Sequence, residues 1–189
     1  MRSLPTAASP QATRVVVLGT GGVSIFARQF ARLLGAVVIV TSSSDEKLTR
    51  AKQLGADVGI NHKTTPAWPN AVVQLSGGRG ADDVIDTVGG LRVAIAAIRV
   101  GGSVAFVGLL AGMSAEVDLV TLMGKSARVR AVDVGSRAMF GAMNRAIQCH
   151  RMRPAVDRVI TFSEAADALR HPSEAKHVGK VRLRMDGPS

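Results

Sequence analysis

The stretch Val15-Val16-Val17-Leu18-Gly19-Thr20-Gly21-Gly22-Val23-Ser24-Ile25-Phe26-Ala27-Arg28-Gln29-Phe30-Ala31 decides the fold. Its first four residues form an apolar, β-branched run of the kind that makes a strand buried on both faces. The run stops at a glycine cluster, and Val23, Phe26, Ala27, Phe30, Ala31 and Leu34 then recur at helical spacing. Strand, glycine turn and helix open a βαβ dinucleotide-binding unit. Gly19 permits the tight turn, and Gly21 removes the Cβ that would hold the backbone away from a pyrophosphate. The helix starting near Gly22 directs unpaired N–H groups and a positive dipole end at that anion. Ser24 stands where the fingerprint has its third glycine, which weakens the motif taken alone. The same turn without a ligand is the plain alternative, and the rest of the chain weighs against it.

Composition narrows the classes. A chain of 189 residues, 47% hydrophobic, makes one domain with a substantial core rather than a disordered segment. The single cysteine, Cys149, excludes a disulfide framework and a multi-cysteine zinc site and suits a reducing cytoplasm. His62, His150, His171 and His177 lack metal-ligand spacing and read as surface or packing residues. With no tyrosine, the chain cannot use the tyrosine proton donor of short-chain dehydrogenases. The net charge of +10 raises nucleic-acid binding, but the basic residues are dispersed and only 3% of residues are aromatic. The charge reads instead as a solvated surface that favours an anionic cofactor.

Met1–Arg14 has no apolar core of a signal peptide or membrane span and reads as a flexible lead-in over residues 1–13. The apolar stretch Val93–Met113 is broken by Arg99 and Gly101-Gly102, so it is a helix, a turn and a strand. Further strands are expected at Ala36–Thr41, Asp57–Asn61, Asp83–Thr87 and Ser103–Gly108, with helices ending near Leu54 and spanning Ala71–Leu75 and Leu91–Ile98. Pro66–Asn70, with Trp68, reads as a loop, and Ser43 and Glu46 have capping-box spacing. Ala127–Val134 reads as a strand, Arg137–Cys149 as an amphipathic helix and Val156–Phe162 as the sixth strand. Ser163 caps a short helix through Arg170, and Val178–Arg184 forms a more exposed strand. This alternation gives an α/β, Rossmann-type doubly wound parallel sheet of about six strands with a short C-terminal strand appendage.

An NAD site usually carries an acidic residue at the end of the second strand, for the ribose 2′-OH. Thr41-Ser42-Ser43 stands there, and hydroxyls donate to a 2′-phosphate that a carboxylate would repel. Lys47 and Lys63 are candidate countercharges, and Asp45 falls in the first turn of the next helix. NADP(H) is therefore expected over NAD(H). Lys47 as a merely solvated helix residue is the alternative.

Gly19-Thr20-Gly21-Gly22-Val23, Gln29, Ser44-Asp45-Glu46-Lys47-Leu48, Leu54-Gly55-Ala56-Asp57, Asp86-Thr87-Val88-Gly89-Gly90, Val107-Gly108, Val134-Gly135-Ser136-Arg137 and His177-Val178-Gly179-Lys180-Val181 occur in that order. Together they resemble the medium-chain dehydrogenase/reductase superfamily, in its zinc-type alcohol dehydrogenase-like and quinone oxidoreductase branch. The likeness covers nearly everything from Val15 to Leu183.

The resemblance implies that Gly21, Gly22 and Val23 face the pyrophosphate and that Ser42, Ser43 and Lys47 surround the 2′-phosphate, with Gly19, Thr20 and Thr41 beside them among the cofactor-binding residues. Asn61 and His62 would lie near the adenosine ribose, where relatives often have Asn-Tyr. Val88, Gly108, Leu109, Val134, Gly135 and Ser136 would lie along the nicotinamide half. It also implies an N-terminal, mostly β catalytic domain, for which this sequence has no room, and a final strand that pairs locally or with another chain. A homodimer through the sixth-strand edge, Val156–Phe162, follows by the same resemblance.

The expected layout is a lead-in at 1–13, a dinucleotide-binding domain at 14–162, and a remnant of the catalytic domain at 163–189. The expected function is hydride transfer between NADPH and a carbonyl, enone or quinone, with no zinc held by this chain. Ser136 and Asp86 are the nearest candidates for a general acid, and neither is convincing. A non-catalytic dinucleotide-binding module and a basic nucleic-acid-binding protein are the alternatives.

Overall fold

A computed structural model of the chain describes residues 12–173 and 177–185. Most of the expected lead-in, through residue 11, lies outside the described residues. The chain runs β1 (Arg14–Leu18), α1 (Gly22–Leu33), β2 (Val37–Ser42), α2 (Asp45–Gln53), β3 (Val58–Asn61), α3 (Trp68–Leu75), β4 (Ala81–Asp86), α4 (Leu91–Ala97) and β5 (Ile98–Phe106). It continues through α5 (Leu119–Gly124), β6 (Arg128–Ala131), α6 (Arg137–Cys149), β7 (Val156–Thr161), a 3₁₀ turn (Phe162–Glu164), α7 (Ala165–Ser173) and β8 (Lys180–Arg184).

A 6-stranded sheet has the order β3-β2-β1-β4-β5-β6, with every pairing parallel. Alternation along the central strands divides the core into two layers. Val15, Val17, Val38 and Val40 pack under Ala31 of α1 and Leu48 and Ala51 of α2. Val16, Leu18, Ile39 and Val84 pack against Trp68, Val72 and Ile95 from α3 and α4. The doubly wound reading is therefore correct, and the strand order reverses between β1 and β4, beside the glycine turn.

The differences are local. Trp68 is buried at the start of α3, with Pro69 in its first turn, rather than in a loop. Asp82 accepts from the Arg14 N–H and pairs with Arg79 and Arg99, which anchors β4 from its first residues. The strand ends at Asp86 because Thr87 turns back to bond the β1 backbone. β5 starts directly after α4, and a register shift opposite Ala81 and Asp83 absorbs the glycine pair. Lys125 stabilises this junction by donating to the Ala96 and Ile98 carbonyls (2.6 and 2.5 Å). Ser163 is no helix cap: it lies within the 3₁₀ turn, and the Thr161 hydroxyl reaches it at 3.0 Å.

The larger correction concerns the sixth strand. β6, within the expected Ala127–Val134 segment, takes that place and forms the sheet edge. β7 lies outside the sheet and pairs in parallel with β8 in a separate 2-stranded sheet, with α7 as the crossover. Val156–Phe162 is therefore neither the sixth strand nor the edge of the main sheet. Its short, half-exposed pattern is compatible with either sheet, and only the pairing partner decides. The final strand does pair locally, as one of the two expectations had it. α6 forms as expected but has no buried residue. Phe30 and Leu34, with Ile85 and Val104, line an open hollow that extends over β4–β6.

Candidate functional site

β1 delivers the chain to the carboxyl edge of the sheet, where Gly19 has φ +79° and its N–H bonds the Thr41 carbonyl at 2.9 Å. That conformation favours glycine and turns the chain back over the sheet edge. Gly21 is the N-cap of α1, and its carbonyl accepts the first helical bond from the Ile25 N–H (3.0 Å). The N–H groups of Gly22, Val23 and Ser24 thus have no intrahelical acceptor. No side chain caps this end and no acidic residue lies in its first turn, so its positive dipole is uncompensated from within the helix. A Cβ added at Gly21 would meet nothing within 4 Å, so the backbone faces open space there.

Ser24, the departure from the fingerprint, is 2% exposed. Its hydroxyl reaches the Leu18 carbonyl and the Thr87 hydroxyl, each at 2.9 Å, and Thr87 Oγ1 donates to the same carbonyl at 2.7 Å. Close packing of α1 on β1, which glycine usually permits here, is achieved by a satisfied hydroxyl instead.

The neighbouring turn is built by Asp86. This buried carboxylate accepts from the Val88 and Gly89 N–H groups at 3.0 and 2.8 Å, and its backbone carbonyl accepts from Val107 and Gly108. Any Cβ on Gly108 would collide with the Thr87 carbonyl. Val88 in turn lies beside Gly19, with its Cγ1 3.5 Å from the Gly19 Cβ position. The structure therefore brings the Gly19 turn beside the turns that carry Val88 and Gly108, and half-exposed Leu109 follows Gly108. Val134, Gly135 and Ser136 leave the carboxyl end of β6 exposed, and Ser136 Oγ caps α6 by accepting from the Met139 N–H (3.2 Å).

At the end of β2, Thr41 and Ser42 are each 3% exposed, so the accessible hydroxyls belong to Ser43 and Ser44. The helix cap falls one residue later than the capping box suggests: Ser44 Oγ accepts from the Lys47 N–H at 3.3 Å. Asp45 is the first residue of α2, and the Asn61 amide donates to its carboxylate at 2.9 Å. This acid is thereby tied to β3. His62 donates its backbone N–H to Ser42, and burial followed by the Lys63 charge holds its imidazole below the usual range.

Two groups were not legible as site residues. Gly179 bridges Gly21 and donates its N–H to the Thr20 carbonyl at 3.0 Å, at φ +89°. This places Lys180 across the start of α1, with Nζ 2.7 Å from the position of a Cβ on Gly22. The glycine-lysine pair of the last strand was the available signal, but nothing local says which turn it meets. Below it, Asp157 holds the β7–β8 unit to α2: it accepts from Arg50 (2.6 Å), His171 (2.8 Å) and the Val178 N–H (3.3 Å). Burial would raise this carboxyl, but the His171 and Val178 hydrogen bonds and the Arg50 charge together hold it below the usual range.

The described residues do not form a zinc site, and they include no group of three or more His, Cys, Asp or Glu able to hold a metal. His171 spends Nε2 on Asp157, and Cys149 is exposed at the end of α6.

A family profile described as zinc-binding dehydrogenase matches residues 22–149. A zinc-type alcohol dehydrogenase-like protein of Schizosaccharomyces pombe is 41% identical over 179 residues, covering 91% of this chain and 51% of that protein. A solved NAD-dependent alcohol dehydrogenase is 32% identical with a TM-score of 0.83, covering 94% of this chain and 52% of its own. A mycobacterial protein solved in complex with NADPH is 27% identical with a TM-score of 0.77, covering 95% and 60%. The chain spans about half the length of the curated relatives it matches.

Proposed function

The chain belongs to the zinc-binding dehydrogenases of the medium-chain dehydrogenase/reductase superfamily, as their cofactor-binding domain, and from that premise we propose that it binds NADP(H) in the crevice between the β1 and β4 turns. The carrying observation is the start of α1: N–H groups without acceptors, open space at Gly21, and Lys180 across Gly22. A helix N-terminus with an adjacent ammonium fits a pyrophosphate. Gly19, Thr20, Gly21, Gly22 and Val23 would hold it. Val88, Gly108 and Leu109 would line the nicotinamide half, with Val134, Gly135 and Ser136 entering from the β6 side. Asn61 and His62 would border the adenosine ribose.

NADP(H) over NAD(H) rests on the end of β2, where Ser43, Ser44 and Lys47 border one polar hollow and Asp45 is engaged by Asn61. Thr41 and Ser42 support this loop from beneath it.

The dinucleotide supplies the hydride chemistry, and we take a carbonyl, enone or quinone as the other partner. This chain's residues bind and orient. Asp86 builds the turn that carries Val88, and Ser136 caps α6, so neither is placed to deliver a proton. That observation favours, as a second reading, a domain that binds the dinucleotide without turnover on its own.

We take residues 14–149 as the dinucleotide unit, with β7–α7–β8 appended to it. A homodimer formed by edge pairing would use β6, and the domain is read as cytoplasmic. No helix among the described residues is long and apolar enough to cross a membrane.

Fluorescence titration with NADPH and NADH tests the reading. NADPH should bind more tightly, Lys47→Ala should weaken NADPH selectively, and Lys180→Ala should weaken both. Binding of neither nucleotide overturns the assignment, and a preference for NADH overturns the reading of the serine run.

A further inference from the structure

The polar hollow at the end of β2 has a second wall. Its first wall comes from the sheet unit, with Ser43, Lys47 and Lys63, and the second from the appended unit, with Arg158 of β7. The carboxylates facing it from the appended unit are already matched: Asp157 pairs with Arg50 and Asp167 with Arg170. Lys63 and Arg158 differ. Their side chains make no hydrogen bond or ion pair with any described residue, and both line the hollow. Glu46 lines it as well, from the first turn of α2. Cations on opposite walls of a concave, solvent-filled space leave a positive potential that a compact dianion offsets.

We propose that Arg158 is a specificity-determining residue for the dinucleotide, and that its guanidinium, across the hollow from Ser43 and Lys63, engages the adenosine 2′-phosphate. The inference rests on the NADP(H) reading above and adds to it that the appended unit takes part in choosing the cofactor. The ribose lies at the carboxyl end of the second strand in this fold, which is where the hollow begins. Guanidinium suits the task because its planar donors match two phosphate oxygens at once, whereas an ammonium acts as a point charge. The Asp157 anchor to Arg50 and His171 fixes the residue next to Arg158, so the guanidinium is presented from a held strand rather than a loose segment.

The test titrates wild type, Arg158→Gln and Arg158→Lys with NADPH and with NADH by fluorescence, at low and high salt. Arg158→Gln should weaken NADPH about tenfold, as expected for losing a charge-assisted hydrogen bond. NADH should change by less than about twofold, since only a screened charge is lost to it. Arg158→Lys should recover part of the NADPH affinity, and the NADPH difference should shrink at high salt. Equal weakening of both nucleotides, or of neither, while wild type still binds NADPH, overturns the role of Arg158 and leaves the cofactor reading intact. Failure of wild type to bind either nucleotide overturns both. Arg158 is exposed and unbonded, so its variants should fold, and matching unfolding midpoints verify this.

Discussion

Ser24 Oγ lies 2.9 Å from Thr87 Oγ1, and both hydroxyls reach the Leu18 carbonyl, at 2.9 and 2.7 Å. This triangle ties the first turn of α1 to the last residue of β1 and to the turn after β4. Restoring the fingerprint glycine with Ser24→Gly should therefore destabilise the protein. The loss is about 1–2 kcal/mol, from one buried hydrogen bond plus glycine in a helix. Urea unfolding measures it, and an unchanged or higher midpoint would count against a structural role for the serine.

Gly21 and Gly108 should separate binding from folding. Gly21 faces open space, so Gly21→Ala should change stability by less than about 1 kcal/mol yet weaken dinucleotide binding. Gly108→Ala drives a methyl group into the Thr87 carbonyl and should abolish or severely impair folding. Thermal unfolding with a parallel nucleotide titration distinguishes the two, and equal effects on stability would contradict the geometry.

Arg28 is 1% exposed, its Nε and Nη2 have no partner among the described residues, and burial lowers its pKa. Its Nη1 lies 3.1 Å from the Cβ position of Gly55, so the guanidinium is wedged against the turn after α2. Replacing an uncompensated buried charge by an apolar side chain of similar length should stabilise by about 1–3 kcal/mol. Arg28→Met should raise the midpoint of unfolding, and a lower midpoint overturns the expectation.

Acid should weaken the junction of the appended unit in two steps. Burial holds the His177 imidazole below its usual range; Asp157 opposes this, and His171, Lys47 and Lys180 reinforce it. The unfolded chain then binds the proton first, so stability falls as pH drops below about 6.5. Asp157, held low in the fold, contributes stability above about pH 3.9 that is lost as pH falls through its folded value. His177→Leu should flatten the first step. Asp157→Asn should remove the second and lower the midpoint at pH 7. Unfolding midpoints across pH 3–8 give both.

Much of the fold was legible because its signals are local. Val15–Leu18, the glycines and the helical spacing after them report burial and turn chemistry within a few residues, so the first βαβ unit could be read directly. The parallel sheet followed from strands alternating with helices, and the missing acid at Thr41-Ser42-Ser43 could be seen by position alone. Boundaries slipped where distant groups intervene, as at Thr87, which leaves β4 to bond Leu18.

The sequence by itself determined the sheet, its layers and the glycine turn at the end of β1, because period and glycine placement dictate which faces are buried and where the chain turns. Tertiary structure alone decided that β7 pairs with β8, that Ser24 finds Thr87, that Lys180 comes to the start of α1, and that Arg158 comes to the hollow at the end of β2. Those contacts join segments far apart in the chain. Their partners are chosen by the packing of whole elements, and no local pattern in either segment encodes the other.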